Sequence, residues 1–166
     1  IAIIAIGMTL VIVGGGIDLS VGSLIALSAV ICCMIIRDYC GAEHATVAGM
    51  IAASLAAIAV CALIGAASGL VVTQLDIAPF IVTLATLFII RGFTVALTAA
   101  ITNITYIPIP HEAIDSDPIA WIFNWSGGAG GEFKVSIIWW LVIAGVGAYI
   151  LAKTRFGNWI AGVGGS

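Results

Sequence analysis

The chain has 166 residues, of which 63% are hydrophobic and only 8% charged, with a formal net charge of −3. A soluble domain carries roughly 25% charged residues, so this chain has too little charge to coat a water-soluble globule and reads as an integral membrane protein. Its 5 Lys and Arg residues form no basic patch, which excludes a nucleic-acid binder.

The chain opens on Ile1 inside an apolar run and stops at Ser166 after a glycine-rich turn, so a fragment of a longer protein is expected. Residues 1–13 read as the tail of a first membrane helix. The next ten residues, 14–23, are GGGIDLSVGS. Consecutive glycines do not continue a helix, because each loses more backbone entropy than alanine would. Asp18 follows with apolar sequence on both sides, and Ser20 is placed to cap a helix starting at Val21. The stretch reads as helix, break, helix. A polar break at membrane depth is tolerated only where it is buried in protein or lines a wet cavity. Asp18 as a simple cap near the headgroups is the structural alternative to a substrate path.

Residues 21–36 form the next apolar run, about 24 Å long as a helix, and a polar connection, RDYCGAEHAT, follows at 37–46. Residues 47–73 are apolar and alanine-rich. Gly65 and Gly69 make a GxxxG motif there, flanked by Ala62, Ala66 and Ser68, which predicts close packing of this helix inside a bundle. QLDIAP at 74–79 is a tight turn, and Pro79 fits the first turn of the next helix. Residues 80–100 then span. Arg91 lies inside that span, roughly 18 Å from Pro79 by helical rise; it faces protein or water, or snorkels to the far interface.

Residues 101–133 differ in kind, with three prolines, several acids, His111, paired tryptophans and GGAGG. A segment of this length without regular structure is a functional or exposed loop, and IAWIFNW at 119–125 suits a short interfacial helix. The last span is 135–152. It ends at Lys153 and Arg155, the densest positive charge in the chain, which marks the cytoplasmic side. Threading back places 101–133 outside, QLDIAP inside, 37–46 outside and the glycine break toward the inside.

The four cysteines, Cys32, Cys33, Cys40 and Cys61, lack CxxC spacing and read as small packing residues. His111 has no second ligand at metal spacing, and no Walker A, HExxH or GxSxG pattern occurs. No catalytic or metal site is expected, and the chain reads as non-enzymatic.

At GGGIDLSVGS the sequence resembles the permease subunits of bacterial ABC importers for sugars, of the ribose/xylose/arabinose/galactofuranose type. Other stretches match in the same order: Ala5-Ile6-Gly7-Met8-Thr9 before the break, Pro79-Phe80-Ile81-Val82-Thr83-Leu84, Arg91-Gly92, and Thr154-Arg155-Phe156-Gly157-Asn158. The family's Ala-Ile-Gly-Gly-Asn is replaced here by Ala161-Gly162-Val163-Gly164-Gly165-Ser166.

The resemblance implies an all-α polytopic bundle with about five spans in this chain. Residues 1–166 would form one transmembrane permease domain, with 101–133 an extracytoplasmic loop and 153–166 the start of a cytoplasmic loop that meets the ATPase. Implied partners are an ATP-binding cassette subunit, which would carry ATP and Mg, a periplasmic sugar-binding protein, a second copy or a sister permease, and membrane lipid. The implied location is the bacterial inner membrane, and no cofactor is expected in this chain itself. The translocation path is assigned to Gly15, Gly16, Asp18, Ser20, Ser23, Thr83 and Arg91, with Thr86 and Thr94 as further hydroxyls, helix packing to Gly65 and Gly69, and ATPase contact to Arg155, Phe156 and Gly157. Asp18 and Arg91 carry opposite charge and are candidates for pairing. The alternatives are a secondary transporter or channel that uses the glycine break as its own site, and a purely structural membrane subunit.

Overall fold

The computed structural model describes residues 2–40, 47–105, 126–127 and 133–164. Six helices follow in order among these: α1 (Ala2–Val13), α2 (Val21–Cys40), α3 (Val47–Leu75), α4 (Pro79–Thr102), α5 (Ser136–Lys153) and α6 (Arg155–Gly164). One short antiparallel pair, β1 (Ser126–Gly127) with β2 (Phe133–Lys134), departs from an all-helical chain. Three helices are long and apolar enough to cross a membrane, at Ala48–Leu75, Pro79–Thr102 and Ser136–Lys153, while α1 and the apolar part of α2 are shorter. The chain is a polytopic helical protein. The expected interfacial helix at 119–125, His111 and most of the 101–133 loop lie outside the described residues.

Helix ends differ from the sequence expectation in places, each for a local reason. α2 continues past Ile36 to Cys40, taking Arg37 into its last turn, where a cation meets the negative end of the helix dipole. α3 reaches Leu75 and stops where Asp76 adopts φ 51, the left-handed conformation that ends helices. α4 runs to Thr102, and Asn103 at φ 57 closes it with its N–H on the Ala99 carbonyl. Pro79 occupies the first turn of α4 as expected.

The chain divides into two compact units, one of residues 1–18 and 118–166, the other of residues 19–117. In the second unit α2 packs on both α3 and α4. Leu27, Ala53, Ala57 and Val82 form its apolar core. Alanines on α3 let the α2 backbone come close, and two thiols cross the gap: Cys61 Sγ donates to the Leu24 carbonyl at 3.7 Å and Cys32 Sγ to the Ala53 carbonyl at 3.6 Å. Both contacts fall on one antiparallel register. The Ser68 and Thr86 hydroxyls join α3 to α4 at 3.1 Å.

Gly65 and Gly69 make no close helix contact among the described residues. A Cβ on Gly65 or Gly69 would meet nothing within 4 Å, and Leu63 and Leu70 beside them are exposed. The alanine face at Ala53 and Ala57 carries the helix packing among the described residues instead, because that face lies opposite α2.

In the first unit α5 lies along α1, and α6 packs against both. A Cβ on Gly147 of α5 would stand 3.0 Å from Ile6 Cγ2, so the absence of a side chain there sets the distance between α1 and α5. Farther along, Gly164 of α6 lies against the end of α1 at Val13 and Gly15. Ile6 of α1 thus meets α5 at Gly147, while Val13 at the end of α1 meets α6 at Gly164.

Candidate functional site

The glycine run ends α1 by a defined hydrogen-bond pattern. Gly15 N–H donates to the Ile12 carbonyl at 2.9 Å and Gly16 N–H to the Val11 carbonyl at 3.0 Å. Gly15 adopts φ 77. These are the paired bonds and the left-handed residue of a Schellman cap, which satisfies carbonyls that would otherwise be orphaned at a helix end. Gly164 packs on this cap so closely that a Cβ on it would run into the Val13 carbonyl. Gly15 and Gly16 are therefore a helix stop seated on α6. Asp18 is half-buried and ends this unit.

α6 begins at a sharp corner made by one side chain. Thr154 has extended backbone, φ −108 and ψ 155. Its Oγ1 donates to the Ile150 carbonyl at 2.6 Å and accepts from the Gly157 N–H at 3.2 Å. One hydroxyl thus closes α5 and caps α6. Gly157 is buried in the corner, where a Cβ would lie 2.6 Å from Leu151 Cα. Arg155 and Phe156 are exposed beside it.

The second unit holds a different environment. Ser20 begins α2, its carbonyl accepting from the N–H groups of Ser23 and Leu24 at 3.0 Å. Ser20, Ser23, Thr83, Thr94 and Thr98 are all buried, while Phe88, Ile89 and Phe93 of α4 are exposed. The helix is inverted relative to a soluble one: hydroxyls are buried and large apolar side chains are exposed. On α4, Thr94, Thr98 and Thr102 recur every fourth residue, and each donates to the carbonyl one turn back at 2.7, 2.9 and 2.7 Å. That is how a hydroxyl is satisfied at membrane depth without water.

A cavity of about 300 Å³ opens between α2 and α4. Its polar lining is Ser23, Arg91 and Thr94, and its apolar lining is Gly22, Ala26, Leu87 and Val95. Arg91 is the thirteenth residue of the 24 in α4, so it stands near mid-helix. A second cavity, of about 220 Å³ in the other unit, is lined mainly by hydrocarbon from α1 and α5, with Thr9 the one polar side chain among the described residues.

Of the residues assigned to a path from sequence, the structure brings Ser23 and Arg91 together on one cavity. Thr83 and Ser20 lie buried in the same unit, while Gly15, Gly16 and Asp18 belong to the other. Thr98 was not singled out by sequence, although its spacing of four from Thr94 is the available signal. Gly147 and Gly164 carry no signal that separates them from the other glycines. Among the described residues no three His, Cys, Asp or Glu side chains gather as metal ligands.

The family described as "branched-chain amino acid transport system / permease component" matches residues 1–166. The chain is 35% identical to an inner membrane ABC transporter permease protein, YjfF, of Escherichia coli, over 99% of this chain and 45% of that protein. It is 34% identical to the ribose import permease protein RbsC of E. coli, over 99% of this chain and 46% of the relative. It is 32% identical to the galactose/methyl galactoside import permease protein MglC of Haemophilus influenzae, over 99% and 48% respectively. The chain thus spans about half the length of the curated relatives it matches. No solved structure matches it.

Proposed function

The chain belongs to the family of permease components of the branched-chain amino acid transport system, and we propose that it is part of the membrane subunit of an ATP-driven importer whose cargo is a sugar. The observation that carries this is the cavity that brings Ser23, Arg91 and Thr94 together on helices whose outer faces are hydrocarbon. The two hydroxyls are satisfied by backbone carbonyls, but a guanidinium at membrane depth is costly unless it faces protein, water or a solute. Relatives named for ribose and galactose import supply the cargo class.

Under this proposal the bundle has five spans, counting α1 and α2 with the three longer helices, and the break at residues 14–20 interrupts the first pair. The residues assigned to the path are Ser20, Ser23, Thr83 and Arg91 of one unit and Gly15, Gly16 and Asp18 of the other. The Lys153–Arg155 corner is cytoplasmic. Residues 153–166, with Arg155, Phe156 and Gly157, then face the ATP-binding subunit, which carries ATP and Mg and performs the hydrolysis. The chain sits in the bacterial inner membrane, with residues 101–133 assigned to the side of a periplasmic sugar-binding protein. The contact of Gly164 with Val13 and Gly15 supports this threading, because it seats the glycine break on the helix that follows the basic corner. Gly65 and Gly69, open among the described residues, are offered to a further helix, from a second permease copy or from another part of the same protein.

The test is uptake into vesicles containing the full-length protein with its ATP-binding subunit and binding protein. Ribose, galactose, fructose, xylose, arabinose and the branched-chain amino acids serve as cargo. Uptake of one of the sugars that stops without ATP supports the proposal. Uptake that continues without nucleotide points to a secondary transporter or channel. ATP-dependent uptake of leucine but no sugar overturns the cargo class.

A further inference from the structure

Ser23 and Thr94 have committed their protons to the backbone. Ser23 Oγ donates to the Ser20 carbonyl at 2.7 Å and Thr94 Oγ1 to the Ile90 carbonyl at 2.7 Å. A hydroxyl has one proton and two lone pairs, so both oxygens are left as acceptors. Arg91 is the opposite, with five N–H donors and no acceptor. Among the described residues the rest of the lining adds no polar side chain and no carboxylate. The cavity therefore presents one cluster of donors and two separate acceptors, within a volume at the lower end of the ~300–1,000 Å³ of small-molecule sites.

We propose that this cavity is a hydrogen-bonding station for a neutral polyol in transit: Arg91 donates to one cargo hydroxyl, while Ser23 Oγ and Thr94 Oγ1 accept from others. The inference rests on the sugar-import reading and goes further, by assigning individual roles. A hydroxyl group can both give and take a hydrogen bond, so a sugar satisfies the guanidinium and the two oxygens together. An α-amino acid would bring an ammonium to a lining that holds a cation and no anion. Charge left unpaired at this depth is expensive. A sugar acid would pair with Arg91, but a full ion pair in a low-dielectric site binds too firmly for a path that must also release its cargo. Arg91 is in this account a specificity-determining residue, and Thr94 and Ser23 complete the pattern.

The experiment uses the full-length complex in vesicles, with uptake normalised to the permease present in the membrane. The sugar from the panel above with the highest uptake is compared with its monodeoxy analogues for wild type, Arg91→Gln, Arg91→Lys and Thr94→Val. Arg91→Gln should lower the maximal uptake rate about ten-fold or more, the scale of losing a hydrogen bond from a charged donor. The half-saturating concentration should stay within about two-fold, since capture belongs to the binding protein, while single hydrogen bonds of ~1 kcal/mol set the later steps. Arg91→Lys, which keeps a cationic donor, should recover part of that loss. Thr94→Val should cost about five-fold and narrow the preference for the parent sugar over at least one deoxy analogue. A structural role alone would change abundance, or slow parent and analogue equally. If Arg91→Gln fails to reach the membrane, Thr94→Val carries the test through the analogue ratio. Wild-type rates and ratios in both variants overturn the inference while leaving sugar import intact. Absence of ATP-dependent sugar uptake by wild type overturns the functional proposal itself.

Discussion

Where α6 meets the end of α1, backbone lies on backbone. Gly164 meets the Val13 carbonyl and the left-handed Gly15, with no side chain between them. Where α2 meets α4, the helices carry hydroxyls on their facing sides and leave a cavity of about 300 Å³. Both contacts are made by small residues, yet they do different work. Lipid is as apolar as leucine, so helices in a membrane associate through close packing and polar contact instead of hydrophobic burial. Glycine gives the first kind of contact and excludes everything else. Serine and threonine give the second kind and still present an oxygen to whatever enters.

Four substitutions test this contrast. Gly157→Val should do the most damage. A Cβ there already falls 2.6 Å from Leu151 Cα, and overpacking of a tight site costs about 1–3 kcal/mol or more. The expected result is severe loss of full-length protein from the membrane fraction and early heat aggregation in detergent. Thr154→Val comes next. It removes the hydroxyl that closes α5 and caps α6, a loss of about 1–2 kcal/mol. Trypsin cleavage after Lys153 or Arg155 should accelerate several-fold, and an unchanged digestion rate would mean the corner is held by something else.

Gly15→Ala should cost about 1–2 kcal/mol, because an L-residue must take a left-handed conformation there. Its signature is a lower aggregation temperature without a change in trypsin cleavage at the corner. Gly69→Ala should have the smallest effect. Nothing lies within 4 Å of the added Cβ, and alanine favours a helix by up to ~1 kcal/mol over glycine. Aggregation temperature should stay level or rise slightly. A marked fall in the assembled complex, with the isolated chain unaffected, would show that a helix from outside this chain packs on that face.

Much of the helical pattern was legible along the chain, because it depends on local rules. Apolar runs of span length, Pro79 at a helix start and consecutive glycines at a helix stop each act within a few residues. Ser20 likewise stands directly before the first residue of α2, as its capping preference suggests. The helix ends at Asp76 and Asn103 were less legible, because a non-glycine residue takes the left-handed conformation only where surrounding structure favours it. The candidate site was legible in part. Composition and depth point to Ser23, Arg91 and Thr94, and the polar break points to Gly15, Gly16 and Asp18, but that Ser23, Arg91 and Thr94 share one cavity depends on how α2 packs on α4.

Sequence by itself determined that this chain is a membrane protein, where most of its helices run, and which family it joins, since hydropathy, helix stops and motif identity are properties of neighbouring residues. Tertiary structure alone decided that the alanines of α3 and not its GxxxG motif meet α2. It also decided that Gly147 and Gly164 are the close approaches, and that Ser23 and Thr94 turn their protons inward beside Arg91. Those outcomes depend on which helix face meets which neighbour. A face is chosen by contacts between residues far apart in the chain, and no local pattern records them.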